Sequence, residues 1–238
     1  FKYQNKKLSD LIYEISKINE IKRIRYTTSH PIDFSNDLID AHKDIKKLMP
    51  LIHLPVQSGS NKILKNMNRK HSVEQYIELI SNLKKANSEI KFSSDFIIGY
   101  PGETEKDFEQ TLKLLQEVKF INTYSFIYSS RPGTPASKLK TIENSISKER
   151  LYLFQKIATN IKKYYRQELI GKNSQVMFEN NIKNNYDFFG RDEYLNSVVV
   201  KSKKNLRGKI LKVKILDGNQ NTLYGRVNDN IKSEYFAA

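Results

Sequence analysis

Along the first two-thirds of the chain the apolar residues change period repeatedly, from helical spacing to strand spacing and back. Strands separated by helices in this way imply βαβ units and a parallel sheet. Leu8, Leu11, Ile12, Ile15 and Ile18 fall on one helix face, and Arg23 to Thr28 reads as a short strand. Asp37 to Leu48 is helical again and stops at Pro50, and Leu51 to Val56 is a strand followed by the turn Gln57-Ser58-Gly59-Ser60. A helix opens near Ser60 and another runs from about Ser72 to Ala86. Phe92 to Ile98 is the third strand, ended by Gly99-Tyr100-Pro101-Gly102. Thr104 and Asp107 stand at capping-box spacing, with an aspartate in the usual Glu/Gln place, and launch a helix to about Val118. Phe120 to Tyr128 supplies a fourth strand, closed by Pro132-Gly133-Thr134-Pro135.

The pattern changes after a long basic helix, Ser147 to Ile170, which ends at Gly171. From Ser174 the segments are short and β-rich: Gln175 to Glu179, Tyr186 to Arg191, Asn196 to Val200, Gly208 to Leu216 and Thr222 to Val227. Asn184-Asn185 and Asp217-Gly218-Asn219 are hairpin signals between them. Five such strands make a small antiparallel barrel of the size of OB-like nucleic-acid modules. The domains expected are therefore residues 1–170, a parallel α/β unit, and 172–235, a β-barrel.

Composition narrows the chemistry. With 38% hydrophobic and 11% aromatic residues the chain can bury a core, and no apolar run approaches the roughly 20 residues of a membrane span. The polar start, Phe1-Lys2-Tyr3-Gln4-Asn5-Lys6, is no signal peptide and no initiator. Zero cysteine excludes disulfides, thiol nucleophiles, thiolate zinc sites and iron–sulfur clusters held by this chain's own thiolates. The net charge of +15, from 41 Lys+Arg and 26 Asp+Glu, is a weaker signal. Lysine outnumbers arginine 32 to 9, a profile that AT-rich coding gives whatever the function, and phosphate readers often prefer arginine. The run Lys201, Lys203, Lys204, Arg207, Lys209, Lys212 and Lys214, with no acid among them, is harder to explain by codon bias. It marks the barrel as the expected RNA surface, with a solvated strand face as the alternative.

Gly59, Gly99, Gly102 and Gly133 each sit just beyond the C-terminal end of a strand, the edge where parallel α/β folds bind ligands. They could be turn glycines only, but polar residues gather at the same edge: Ser29, His30, Gln57, Ser58, Asp95, Glu103, Ser129 and Arg131. Asp95 is the most informative, an acid in an otherwise buried-looking strand, where a carboxylate needs a partner such as ribose hydroxyls. His30, His42, His53 and His71 are too scattered to propose a metal site, and His53 reads as a hydrogen-bonded core residue. The residues themselves give a ligand-ready edge and a basic barrel, without a reaction.

Four blocks in order resemble the radical-SAM methylthiotransferases, and within them the tRNA-modifying type. They are Arg23 to Pro31, His53 to Ser60 with Met67-Asn68-Arg69, Asp95 to Glu105, and Tyr128 to Ala136. The Thr-Ser-His-Pro and Leu-Pro-Val-Gln-Ser-Gly stretches favour the tRNA enzyme over the sister that modifies a ribosomal protein, and the C-terminal part resembles a TRAM domain. The resemblance implies a partial parallel (β/α) radical-SAM barrel followed by a TRAM-like barrel. It implies C2 methylthiolation of an isopentenylated adenosine beside the anticodon, with S-adenosylmethionine (SAM) and two [4Fe–4S] clusters. The partner would be the anticodon stem-loop of tRNA, and the intact enzyme a cytoplasmic monomer. By analogy Gln57 and Asp95 would hold SAM's ribose, Arg69 its carboxylate, and Gly99 would let the backbone approach the adenine. Arg131 would face SAM or the tRNA, and Lys203, Lys204 and Arg207 the RNA.

The family's Cys-x3-Cys-x2-Cys motif and first barrel strands are absent from this sequence. The resemblance would place them upstream of Phe1, so that Arg23 to Thr28 becomes an exposed sheet edge and this polypeptide alone does not catalyse the reaction. A ribosomal-protein methylthiotransferase and a non-catalytic RNA-binding module are the competing readings.

Overall fold

The computed structural model describes residues 2–3, 6–27, 30–182, 187–228 and 234–235. By its internal contacts the chain divides into Phe1–Ile161 and Lys162–Ala238. The first unit opens with the hairpin β1 (Lys2–Tyr3) and β2 (Lys6–Lys7), then α1 (Leu8–Ser16) and α2 (Asn36–Asp44). There follow β3 (Leu51–His53), α3 (Asn61–Asn66), α4 (Val73–Ala86), β4 (Lys91–Ile98), α5 (Glu105–Val118) and β5 (Asn122–Ile127). The long α6 (Asn144–Leu169) runs across the division. The sheet order is β3-β4-β5, all parallel, with His53 beside Ser93, Asp95 beside Tyr124 and Ile98 beside Ile127.

Strand alternation sorts this sheet into two unlike faces. Phe92, Phe96 and Ile98 point into a core shared with Leu83 of α4, Leu115 of α5 and Phe154 of α6, whose ring lies 4.7 Å from that of Phe96. Ser93, Asp95 and Ile97 point the other way, with Tyr124 and Phe126 beside them at 55% and 59% exposure. Parallel sheets are ordinarily covered on both faces; here the described residues cover one. That is a partial barrel with its inner face open.

Two helices start where the capping chemistry requires. Ser72 and Thr104 each accept the N–H three residues on, while Gln75 and Asp107 return the bond to the cap's own N–H. The strand expected at Arg23 to Thr28 does not form. Only Ile24 pairs, its N–H on the Lys47 carbonyl at 2.8 Å and its carbonyl taking the Met49 N–H at 2.9 Å. Ile24 is flanked by charged Arg23 and Arg25 and makes the segment's one bridge, while Tyr26 packs against the core and meets His42 through its side chain; Thr28 lies outside the described residues. The same bridge shortens α2, which stops at Asp44 instead of Leu48.

Gly59 is a packing requirement. A methyl group there would lie 2.5 Å from Thr111 Cα and 2.6 Å from the Gln110 carbonyl oxygen, both backbone atoms of α5. Gly59→Ala is expected to destabilise the first unit by about 1–3 kcal/mol, the range for overpacking a tight core. Thermal unfolding of the variant measures it; an unchanged midpoint would mean that α5 gives way freely.

The second unit is β6 (Asn173–Asn181), β7 (Asp187–Arg191), β8 (Ser197–Lys201), β9 (Lys209–Gly218), β10 (Thr222–Val227) and β11 (Glu234–Tyr235). The first five close in the order β6-β7-β8-β10-β9 and back to β6 around Val176, Phe178, Phe188, Val198, Val213, Ile215 and Leu223. The barrel is mixed, not wholly antiparallel as expected: β10 runs parallel to β8, which is how the last strand closes the ring. The last two turns of α6 contact this unit. Arg166 donates to the carbonyls of Asn219 and Asn221 at 2.9 and 3.2 Å, and the Tyr165 hydroxyl meets Asn196 at 3.3 Å. Those contacts set the division at Ile161–Lys162, inside the helix, where the sequence suggested Gly171. The Asn184-Asn185 signal and Tyr186 lie outside the described residues.

Candidate functional site

Of the polar residues singled out in the sequence, Asp95 stands on the open sheet face. Gln57 extends the line of β3 past Pro55 and pairs with β4, its N–H on the Asp95 carbonyl and its carbonyl taking the Ile97 N–H, each at 3.0 Å. It does so with φ at +77°, in the left-handed region that non-glycine residues seldom enter. Backbone strain of this sort costs of order 1–3 kcal/mol and clusters at functional sites. Asn68, at φ +57°, turns the chain immediately before Arg69. Arg69 is half-buried; burial pulls its guanidinium below the usual arginine range, and the Asp95 carboxylate opposes that pull. Gln57 and Asp95 are thus neighbours through their backbones, and the Asp95 carboxylate is felt by the Arg69 guanidinium.

Asp95 is not buried as the strand pattern suggested. Its side chain is 31% exposed, on the open face, and its Oδ1 lies 3.4 Å from His53 Nε2. His53 turns its other nitrogen to Ser93 Oγ at 3.0 Å. It is hydrogen-bonded as expected, yet it belongs to the open face beside Asp95 and not to the core. Sequence reasoning missed a second histidine pair: His30 and His71 stand edge to face with ring centroids 5.0 Å apart. Both are pulled down by burial and by Arg69, His71 to about 4. Nothing in their spacing announces that contact.

Gly99 has φ +74° and lies against α6, since a Cβ there would collide with Ser147 Oγ. Its N–H donates to Glu103 Oε2 at 3.1 Å. Glu103 in turn holds Arg150 of α6 at 2.9 Å, with side chains 2% and 9% exposed, so a buried ion pair fixes the loop that ends β4. Ser58 is engaged with Thr111 at 3.4 Å and with the Ser60 N–H at 3.2 Å, a structural role. Gly102 and Gly133 have open space where a Cβ would stand. Arg131 is exposed in the loop after β5, its carbonyl accepting from the Thr134 hydroxyl at 2.8 Å.

In the second unit Lys203, Lys204 and Arg207 project from the β8–β9 loop, all exposed. The loop is built by small polar residues: Ser202 Oγ takes the Lys204 N–H at 3.0 Å, and Asn205 the Arg207 N–H at 3.0 Å. Its three cations are thus displayed on a turn whose backbone is already satisfied.

The arrangement has relatives. The model of the Radical SAM superfamily matches residues 3–115. The chain is 47% identical to the tRNA-2-methylthio-N(6)-dimethylallyladenosine synthase of Pelagibacter ubique (strain HTCC1062), over 96% of this chain and 51% of that protein. It is 47% identical to the synthase of the same name from Wolbachia pipientis wMel, over 92% of this chain and 50% of that protein. The chain spans about half the length of the curated relatives it matches. Among solved structures, Escherichia coli coproporphyrinogen III oxidase, described as a radical SAM enzyme, superposes with TM-score 0.53 at 13% identity, covering 90% of this chain and 52% of that one. At that identity the likeness concerns the fold alone. The resemblance carried by the four sequence blocks, and the order of a partial radical-SAM barrel before a small β-barrel, are borne out.

Proposed function

We propose that this relative of the radical SAM tRNA methylthiotransferases supplies the SAM-binding edge and the RNA-binding barrel of such an enzyme, acting on the dimethylallyladenosine beside a tRNA anticodon. The observation that carries the reading is near-half identity along almost the whole chain, and it is supported by the backbone pairing of Gln57 with Asp95 and by the effect of the Asp95 carboxylate on Arg69. The relatives are tRNA-2-methylthio-N(6)-dimethylallyladenosine synthases, which favours tRNA over a ribosomal-protein substrate. The same reading puts the protein in the cytoplasm as a monomer; among the described residues no helix is long and apolar enough to cross a membrane.

The donor set suits SAM. Asp95 offers an exposed carboxylate edge to vicinal hydroxyls, Gln57 lies next to it across the strand pair, and Arg69 presents a planar fork to a carboxylate. Gly99 gives the adenine a backbone edge on the side away from Ser147. Bound SAM supplies a radical source and a methyl group, the chemistry an inert C–H bond requires. The chain has no cysteine, so thiolates of its own do not hold the [4Fe–4S] clusters of the family. In this reading its residues orient SAM and hold the RNA; Lys203, Lys204 and Arg207 contact phosphates, and Arg131 faces SAM or the tRNA.

Asp95→Ala, in a version extended to the length of the relatives, is expected to weaken SAM binding by about 1–3 kcal/mol, the scale for losing a polar partner. Calorimetry measures it, and unchanged affinity would return Asp95 to a structural role. The reaction itself is tested by mass analysis of tRNA nucleosides after incubation of the extended protein with SAM and dimethylallyladenosine-containing tRNA. Absence of the methylthio product with reconstituted clusters would overturn the reading.

A further inference from the structure

The barrel has a second basic surface, on its wall and not in the loop. Along β9 the residues Leu211, Val213 and Ile215 point inward and are buried, so Lys212, Lys214 and Leu216 point outward. Across the ladder Arg226 of β10 stands directly opposite Lys214, and Tyr224 lies exposed on the same side of β10. Like charges placed opposite each other in an antiparallel pair are destabilising. Among the described residues neither Lys212, Lys214 nor Arg226 has an ion-pair partner, and Asp217, the acid of β9, is engaged with the Gly218 N–H at 2.7 Å.

The opposite wall makes the contrast. OB-type barrels commonly bind nucleic acid on their second and third strands, here β7 and β8. There the charges are matched: Arg191 pairs with Glu179 at 3.4 Å and covers the Phe189 ring, and Asp187 faces Lys201 across the ladder. Uncompensated positive charge is concentrated on β9 and β10. Its flank on β6 is rich in amides, Asn173 opposite Lys214 and Gln175 opposite Lys212, with Asn228 bonded to Asn173 at 3.0 Å; the acid there, Glu193, is engaged with the Gln175 N–H at 3.0 Å.

We infer that the outward wall formed by Lys212, Lys214 and Arg226, with Tyr224 beside it, is a docking surface for the sugar–phosphate backbone of the substrate RNA. Successive outward residues of a strand stand about 6.7 Å apart, close to the interval between neighbouring phosphates of one RNA strand. Lys212 and Lys214 thus address two phosphates in a row, while Arg226 forks onto the second. The amides of Asn173 and Gln175 face the ribose hydroxyls, and the Tyr224 ring offers a stacking surface. The surface is an addition to the loop of Lys203, Lys204 and Arg207, and it rests on the RNA-binding reading above.

The experiment is a salt titration of RNA stem-loop binding by the whole chain, in three forms: unaltered, Lys212→Gln/Lys214→Gln/Arg226→Gln, and Lys203→Gln/Lys204→Gln/Arg207→Gln. The wall variant is expected to lower the log–log slope by about 1.4–1.8, since it gives up two phosphates and each contributes about 0.7–0.9. Parallel lines for the wall variant and the unaltered chain overturn the inference while leaving RNA binding in place; no binding by the unaltered chain overturns both. Arg226→Glu gives an independent readout, because it places an acid opposite Lys214. Its melting temperature is expected to rise while its RNA affinity falls, opposite movements that a purely structural arginine would not give. A fall in both, or unchanged affinity, counts against the wall.

Discussion

Arg150→Ala is expected to cost the first unit about 3–5 kcal/mol, the range for removing one partner of a buried ion pair. The guanidinium donates to the Glu103 carboxylate at 2.9 Å, to the Glu103 carbonyl at 3.2 Å and to Glu105 at 2.9 Å. Its carbon lies 5.5 Å from the centre of the Phe108 ring. Burial already lifts the Glu103 carboxyl, and Arg150 is the main charge opposing that rise. Without Arg150 the carboxylate is stranded, and it protonates instead of staying charged. The loss reaches the loop that ends β4, since Glu103 also accepts the Gly99 N–H. Replacing both partners, Arg150→Met with Glu103→Gln, keeps an acceptor for that N–H and leaves no isolated charge. The double variant is therefore expected to be more stable than Arg150→Ala, with single effects that do not add. Calorimetric melting of Arg150→Ala, Arg150→Met, Glu103→Gln and the double variant decides this. A loss below about 0.5 kcal/mol in Arg150→Ala would mean that water takes over the arginine's role.

The residues that made the fold readable are those whose effect is local. Period changes placed α4, β4, α5 and β5 within a residue or two, and Ser72 and Thr104 announced two helix starts because capping acts over three residues. Arg23 to Thr28 misled because strand propensity says nothing about the supply of partners; one bridge at Ile24 was all the neighbouring chain offered. The closing strand of the barrel likewise depends on a long-range parallel pairing, β8 with β10, to which no local signal is attached. At the candidate site, glycine and polar residues after strands pointed to one edge, since topology fixes where such loops gather. The approach of Arg69 to Asp95, the His30–His71 contact and the left-handed Gln57 were invisible, because each is set by tertiary packing and not by spacing. Glu103 was read as part of a ligand-ready edge, and its partner Arg150 lay in a helix whose basic residues all looked alike.

Acid is expected to weaken the first unit well before its carboxylates protonate, and two histidines are the cause. His42 of α2 is 4% exposed, with Nε2 2.9 Å from the Tyr26 hydroxyl and its ring stacked on Phe34 at 6.2 Å. Burial lowers its pKa from 6.5 to about 4. His71 is lowered to about 4 as well, by burial first and then by His30 and Arg69. A pKa lowered on folding means that the unfolded chain binds the proton more readily between the two values. The stability these neutral histidines carry is therefore complete above pH 6.5 and is lost as pH falls from there towards 4. One pKa unit is worth 1.36 kcal/mol, so His42 alone accounts for about 3 kcal/mol over that window. Glu103 works in the opposite sense over the lower part of it, because its carboxyl is raised. Asp37, held at about 2 by the Ser9 hydroxyl despite its burial, adds its own loss only below the usual aspartate range. Denaturant titrations at pH 7, 5.5 and 4.5 measure the slope, and His42→Gln separates its source. Glutamine can still meet the Tyr26 hydroxyl but has no proton to gain, so the variant is expected to start less stable at pH 7 and to lose less on acidification. If its pH slope equals that of the unaltered chain, the acid sensitivity comes from carboxylates, and His42 takes up its proton inside the folded core.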